Sequence, residues 1–301
     1  MNDCGSGAGL SQALLPYPMY GPSESAGGLT NPFDMNGRAN YNALQVQAQK
    51  RFTTGLTYLI NYTVSQTLSN TDSGFATFNW GSENKANQKS EYAIAANDQT
   101  HILNISGVYE LPIGPGKRFL NKSGLAAKNA LGGWQLSAVL SYSSGTPQTV
   151  YCNDNDVFLN GFNRCNFSSG VPLNVNYGNY YKGLPAFNTA AFSDPGFTQG
   201  NEVRNLGQLR SPFNKSENIA LAKHFYFGER LTGELRVEFF NIFNRLIPCG
   251  PDTSFTDGPN SFGYVNPNGN GPVSTSNPGG PSGPCQGNTP RQGQAYFKLS
   301  F

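Results

Sequence analysis

The residues of this chain best suited to chemistry are its two histidines, its few carboxylates and its five cysteines. His101 and His224 could each belong to a Ser-His-Asp site, but the sequence has no Gly-x-Ser-x-Gly turn to carry the nucleophile. Glu234 and Glu238 lie four residues apart, which on a strand is roughly 13 Å, too far for paired acid–base catalysis. We therefore predict no catalytic residues and expect that the chain is not an enzyme.

Metal and cofactor sites are equally poorly supported by the sequence. The segment "CNDNDVFLNGFNRC" offers Asp154 and Asp156, but a calcium loop needs glycine at its sixth position, where Leu159 stands. "GPGKRF" lacks the spacing of a phosphate-binding loop. No Cys-x-x-Cys pair occurs among the cysteines, which stand at Cys4, Cys152, Cys165, Cys249 and Cys285, so zinc is not indicated. We expect no metal and no cofactor.

The composition narrows the class of protein. The chain has 301 residues, a net charge of +2 and only 13% charged residues, about half the share usual for soluble domains. It has no basic patch, which argues against a nucleic-acid partner. It has no run of 18 apolar residues that could form a transmembrane helix. Its first 20 residues lack the basic and apolar regions of a signal peptide.

Seven segments with alternating apolar and polar residues predict β-strands. "ALQVQAQKRF" and "LTYLINYTVSQTL" flank a short "TTG" turn and together predict a hairpin. The segment 231–246 also fits one face of a helix, but Gly233 and the short "GER" turn before it favour a second hairpin. The predicted strands lie near 43–52, 56–68, 100–111, 134–145, 217–227, 231–244 and 291–301.

The strands predict an all-β fold, an antiparallel meander that forms the C-terminal segment of a transmembrane barrel. They reach the 9–11 residues that a tilted membrane-spanning strand needs. Short and long connections alternate, and aromatic residues recur on the apolar faces, as in outer-membrane barrels. Residues 40–301 are then part of a barrel, residues 1–39 an extracellular loop, and Phe301 an anchor at the periplasmic interface.

The number of strands predicts that this wall is incomplete. Bacterial single-chain barrels have even strand numbers because both termini lie on the periplasmic side. With seven strands and a periplasmic C-terminus, the N-terminal residues lie outside. We therefore expect a fragment of a larger barrel, with open edges at 43–52 and 291–301 that favour pairing and aggregation.

Several stretches, taken in order, resemble the TonB-dependent receptors of the Oar-like group, which carry a carboxypeptidase-regulatory-like domain. They are "ALLPYPMYG", "YNALQVQAQKRFTTGLTYLINYTVSQTLSN", "YELPIGPGKRF", "LGGWQLSAVLSYSSGTP", "FNTAAFSDPGFTQGN", "RLTGELRVEFFNIFNR" and "FKLSF". The resemblance spans nearly the whole chain but only the C-terminal third of the family's barrel. The family's signal peptide, regulatory domain, TonB box and plug have no counterpart here.

The resemblance implies a role in nutrient uptake at the outer membrane of a Gram-negative-type bacterium. The parent receptor would import a bulky nutrient of the siderophore, glycan or peptide class. The implied partners are outer-membrane lipid, the plug and N-terminal strands of the parent, the TonB complex and an extracellular ligand. Ligand contacts would lie in loops 69–99, 147–216 and 245–290, without an assignment to single residues, and the chain alone would not transport. The alternatives are a surface or secreted β-rich adhesion protein, soluble without detergent, and a soluble β-rich hydrolase.

The predicted topology also assigns the remaining polar residues. It places all the cysteines in extracellular loops, where Cys152 with Cys165 and Cys249 with Cys285 form candidate disulfides. Cys4 would be left for a partner in the missing part, and the alternative is free thiols throughout. Glu234, Arg236 and Glu238 alternate along one strand and are expected to face the lumen.

Overall fold

The computed structural model describes residues 37–51, 55–71, 89–114, 117–119, 129–153, 163–227, 231–245, 247, 249–265 and 290–301. One antiparallel sheet dominates this part of the chain. Within it we found no helix with the length and apolar character required to cross a membrane. The long strands are β1 (Ala39–Arg51), β2 (Leu56–Ser69), β3 (His101–Glu110), β4 (Trp134–Ser143), β5 (Asn214–Phe227), β6 (Leu231–Phe240) and β7 (Gln292–Ser300).

The long strands form a meander in which each one pairs with the next along the chain. A short strand, Ala93–Ile94, adds to the end of β2. The predictions of an all-β antiparallel fold and of seven long strands are therefore confirmed. The ambiguous segment 231–246 forms a strand that pairs with both β5 and β7, so the helical alternative is wrong.

Three predicted strand ends need correction. β1 begins at Ala39 and β5 at Asn214, both earlier than predicted, because pairing with neighbouring strands extends through their polar first residues. β6 ends at Phe240 rather than at 244. Asn241 there adopts a left-handed φ of 47°, and its side-chain oxygen accepts the Arg245 N–H at 2.8 Å, which turns the chain out of the sheet.

The register assigns each strand residue to one of two faces. Tyr58, Ala138 and Ile219 belong to one cross-strand row, and alternation places every second neighbour on the same side. The first face is largely apolar and carries Leu44, Val46, Ile60, Tyr62, Ile105, Tyr109, Trp134, Leu136, Leu140, Leu221, Leu235, Val237, Phe239, Phe297 and Leu299. The second face is largely polar and carries Gln45, Gln47, Thr57, Asn61, Asn104, Ser106, Gln135, Ser137, Asn218, Glu234, Arg236, Glu238, Gln294 and Lys298.

The sheet curves towards its polar face. A cavity of about 400 Å³ is lined by polar-face residues of six successive strands, from Gln49 on β1 to Phe240 on β6, which requires that face to be concave. The apolar face is convex, and its large side chains are open to the surroundings, with Leu136 40% and Leu221 41% exposed. An apolar convex face with a polar concave face is the arrangement of a barrel wall that meets lipid outside and water inside.

Lys223 is an exception on the convex face. Its side chain is buried, and its ammonium group donates to the carbonyls of Ala130 and Gly132 in the β3–β4 connection. The ammonium also lies 4.9 Å from the centroid of the Trp134 ring. The β3–β4 connection covers the ammonium group, so the charge of Lys223 is not exposed on the apolar face.

The two outer strands of the sheet remain open on one side. Within the described residues β1 pairs only with β2 and β7 only with β6, and every residue of both strands is exposed. Six antiparallel pairings separate β1 from β7, so the two edges run in the same direction. They cannot close on each other in the antiparallel manner of the rest of the sheet.

The described residues 144–153, 163–213 and 249–265 form a compact lobe, here called the cap, at the end of the sheet that the sequence predicts to be extracellular. Its short strands are Pro147–Gln148, Tyr151–Asn153, Asn163–Arg164, Asn166–Phe167, Phe192–Ser193 and Leu206–Arg210, with 3-10 turns at Tyr177–Lys182, Thr189–Ala191 and Phe255–Asp257. Its own hydrophobic core contains Val150, Leu173, Phe187, Phe192, Leu209 and Phe262. The sequence predicts only long polar loops here, and the core is a feature that it does not reveal.

Candidate functional site

The cap is fastened to the β2–β3 loop by a buried ion pair. The Arg164 guanidinium donates from both terminal nitrogens to the Glu91 carboxylate, with both distances 3.0 Å. The two side chains are 7% and 1% exposed. A bidentate pair of this kind fixes both distance and orientation, so residue 91 and the strand that carries Arg164 move as one unit.

A second ion pair joins the cap to the sheet itself. Arg210 donates to the Asp98 carboxylate at 2.8 Å and to the Gly145 carbonyl at 2.9 Å. Asp98 in turn accepts the backbone N–H of Thr67 on β2 at 2.7 Å and the hydroxyl of Thr100 at 3.1 Å. One arginine thereby connects β2, the loop before β3 and the loop after β4.

The cap lies over the concave side of the sheet. At the extracellular end of the strands, the concave-face residues Ser65 and Ser143 are each only 8% exposed. Gln66, which follows on the convex face, is exposed. A cleft between the cap and strands β1 and β2 remains, bordered by Ala43, Ser65 and Arg210. The cap therefore narrows the extracellular approach to the concave face.

Below the cap the concave face contains an apolar area, here called the concave patch. It consists of Leu59, Val108, Val139, Ala220 and Phe240, which come from five neighbouring strands and line the same cavity. Val139 is 56% and Phe240 39% exposed. The patch is bordered by an ion pair in which the Arg236 Nε lies 2.6 Å from the Glu238 carboxylate. Val139 and Phe240 are thus exposed apolar side chains on a face that is otherwise largely polar.

The charged residues that the sequence places on one strand face lie on the concave side, as predicted. Glu234 stands opposite His224 on β5 and Lys298 on β7. Glu238 accepts a hydrogen bond from the Gln294 amide at 2.5 Å. Arg236 separates the two acids along β6. Glu234 and Lys298 therefore form a cross-strand pair of opposite charge, and the two acids do not form a carboxylate pair.

The two histidines lie on opposite faces of the sheet. His101 is on the convex face, where its Nδ1 lies 2.9 Å from the Tyr62 hydroxyl. His224 is on the concave face, with its Nε2 3.2 Å from the Gln135 side-chain oxygen. The sheet separates them, so they cannot contribute to a common site.

The cysteines of the cap take part in disulfides. Cys152 and Cys165 are joined, with their Cα atoms 4.9 Å apart, and both are buried in the cap core. Cys249 is also disulfide-bonded, whereas Cys4 and Cys285 lie outside the described residues, so the pairing of Cys249 with Cys285 stays a prediction. Asp154, Asp156 and Leu159 lie outside them as well. In the described ranges no group of three potential metal ligands occurs.

The residues that carry the cap are not evident from the sequence. Glu91, Asp98, Arg164 and Arg210 lie in loops, and their pairing depends on contacts between distant segments. The one available signal is scarcity, because with only 13% charged residues a charge in a polar loop is unusual.

Comparison with known proteins gives one family. The model of an outer membrane beta barrel domain matches residues 3–294. Searches of curated proteins and of solved structures find no match.

Proposed function

The chain belongs to the family of outer membrane beta barrel domains. We propose that it forms part of the barrel wall of a TonB-dependent receptor, the class of protein that its motifs resemble. The chain is an outer-membrane barrel protein, and its convex face contacts membrane lipid. The finer proposal concerns the interior. In it the barrel is plugged, imports a bulky nutrient and draws its energy from the TonB complex through the plug.

The concave patch is the observation that carries this proposal. A barrel with an open aqueous channel has a polar interior, and leaving apolar surface in water costs about 25 cal/mol per Å². Val139 and Phe240, 56% and 39% exposed, would contact water in an open channel. A polypeptide that fills the lumen and presents apolar side chains to the patch would remove this cost. The patch therefore supports a plugged receptor over a porin-like channel.

The open edges support the second part of the proposal, that further strands of the receptor complete the wall. β1 and β7 run in the same direction and each lacks a neighbour in the described part. An antiparallel closure needs at least one strand of the opposite direction between them. In this proposal transport depends on the completed wall and on the plug.

The cap leaves a route by which a ligand could reach the concave face from the extracellular side. It is held rigidly by two ion pairs and leaves a cleft beside β1 and β2 through which a bulky ligand could approach. Nothing in this role requires bond making or breaking, and we propose that the chain is not an enzyme.

Site-specific photo-cross-linking in cells tests the plugged interior. A photoreactive phenylalanine analogue replaces Val139 on the concave patch, and a matched variant carries it at Leu136 on the convex face of the same strand. We expect the Val139 probe to link to a polypeptide whose peptides include a plug domain, and the Leu136 probe to link to lipid. A Val139 probe that links to no polypeptide, together with ion conductance through the protein in planar bilayers, would contradict the proposal.

A further inference from the structure

Four polar residues form a cluster on the convex face where β4, β5 and β6 reach its extracellular end. They are Lys215, Glu217, Tyr142 and Arg245, here called the rim cluster. Lys215 and Glu217 are alternate residues of β5, and Lys215 stands opposite Tyr142. Glu217 is fully buried, and one of its oxygens accepts from Arg245 Nε at 2.8 Å and from the Tyr142 hydroxyl at 3.3 Å.

The cluster carries more positive than negative charge. Glu217 neutralises one of the two cations, which leaves a net charge of +1 at neutral pH. The bond from Arg245 to Glu217 uses Nε, so its two terminal nitrogens remain available for an outside acceptor. Lys215 is exposed, and its ammonium group lies beside the ring of Phe213.

Exposed aromatic rings accompany both cations. The Lys215 ammonium lies 5.7 Å from the centroid of Phe213, and the Arg245 guanidinium lies 5.1 Å from that of Phe243. Phe213 is 44% and Phe243 61% exposed. Aromatic rings beside lysine and arginine are typical of the level at which a membrane protein meets the lipid headgroups.

The position of the cluster agrees with that level. On the periplasmic side of it the convex face continues with Ile219 and Leu221 on β5 and with Val237 and Phe239 on β6, an apolar surface suited to hydrocarbon. On the other side the cap begins. The cluster therefore lies at the boundary between the hydrocarbon and the headgroups of the outer leaflet.

We propose that Lys215 and Arg245 bind the phosphate of an outer-leaflet lipid headgroup. Arginine and lysine are the side chains that bind phosphate most strongly, and basic residues at a membrane surface attract anionic lipid. Phe213 and Phe243 flank the headgroup, and Glu217 holds Arg245 in place. The inference depends on the position of the sheet in the outer membrane, not on the plug or on nutrient transport.

The test measures retention of a phosphorylated lipid by the full chain. The chain is reconstituted in neutral phosphatidylcholine bilayers that contain a small fraction of diphosphorylated lipid A, and bound lipid is counted by native mass spectrometry after release in detergent. Lys215→Gln removes one phosphate contact and is expected to lower retention about fivefold. Arg245→Lys keeps a cation next to Glu217 but loses the planar fork, and it is expected to lower retention as well.

Lys50→Gln is the matched control. Lys50 lies on the same convex face as Lys215, but at the other end of the sheet, where β1 meets the short turn to β2. The variant is expected to retain lipid as the wild type does. Equal losses for Lys50→Gln and Lys215→Gln would overturn the proposal in favour of non-specific charge, and so would unchanged retention in Lys215→Gln. Displacement of the lipid by millimolar inorganic phosphate would show a site for free phosphate instead. The shift of the folded protein on unheated gels verifies that each variant is folded.

Discussion

The few charged residues of this chain differ sharply in how deeply they are buried, and their energetic roles differ accordingly. Arg164 and Glu91 are 7% and 1% exposed, whereas the side chains of Lys117 and Glu110, 2.6 Å apart, are 36% and 52% exposed. Loss of one partner from a buried pair leaves an uncompensated charge in a medium that solvates it poorly. An exposed pair loses little, because water solvates the remaining charge.

Arg164→Met is therefore expected to destabilise the cap by about 3 kcal/mol. The measurement is hydrogen exchange of the cap amides in the reconstituted protein. Lys117→Met, which breaks the exposed pair, is the control and is expected to cost less than about 1 kcal/mol. Combining Arg164→Met with Glu91→Leu removes both charges and should restore much of the loss. If Arg164→Met and Lys117→Met had equal effects, the ion pair would not be what fastens the cap.

Asp252 gives the cap a dependence on pH. Burial raises the pKa of Asp252 above its ordinary value, and the nearby carboxylate of Asp257 adds to the effect. The folded cap thus holds this proton more tightly than the unfolded chain does. The corresponding stability is fully present below about pH 4, the ordinary pKa of aspartate, and is lost as the pH rises through the raised pKa.

Asp252→Asn is expected to remove this dependence, because the amide keeps an oxygen for the Ser254 N–H, which Asp252 accepts at 2.9 Å. Hydrogen exchange of the cap at pH 4 and at pH 7 measures the change, and the wild type should lose more protection than the variant between the two values. The control, Asp194→Asn, alters an exposed carboxylate of the same lobe and should keep the wild-type slope. A wild-type slope in Asp252→Asn would assign the dependence to other groups.

The strands could be predicted from the sequence because their signal is local. In a half-buried strand the polarity of each residue indicates the face on which it lies. Alternation of polar and apolar residues over ten positions is enough to predict a strand such as β4. The ends of strands were less predictable. β6 ends at Phe240 because Asn241 adopts a left-handed conformation, and no hydrophobic pattern encodes that turn.

The cap core and the concave patch could not be predicted, because their members are distant in sequence. Phe187, Phe192 and Phe262 meet edge to face at 5.3–5.9 Å, although a strand hairpin separates the last from the others. Val108 and Val139 are apolar residues on a face of their strands that is otherwise polar, and their immediate neighbours in the sequence, Tyr109 and Leu140, belong to the other face. Only the register of the sheet brings them together, and register is a property of the folded element.

Reduction of the Cys152–Cys165 disulfide is expected to destabilise the cap by roughly 2–3 kcal/mol, since the bond closes a short loop of the chain. Hydrogen exchange with and without reductant should show faster exchange at Cys165 and Phe167, with the amides of β3 and β4 unchanged as an internal control. Alkylation of Cys152 and Cys165, located by peptide mass, should also require prior reduction. Equal alkylation of the two residues with and without reductant would mean that their thiols are free in solution.

At the scale of the molecule, the sheet has no second layer within the described part of the chain. Many of its convex apolar side chains are exposed there, and the cap core lies beyond the strand ends. In the outer membrane the lipid takes the place of the missing layer, while the cap and the lumen side remain in a polar environment. Stability of the sheet should therefore depend strongly on which face a substitution alters.

Two neighbouring residues of β3 test this directly. Ile105 lies near the middle of the convex face and Asn104 on the concave face, so lysine at the two positions introduces the same charge into lipid or into the lumen. We expect Ile105→Lys to cost about 2–4 kcal/mol in the unfolding free energy measured by urea titration in lipid vesicles. Asn104→Lys should cost well under 1 kcal/mol, the loss of one exposed hydrogen bond with Ser141 included. The opposite order would mean that the apolar face does not contact lipid, and the assignment of outside and inside would have to be reversed.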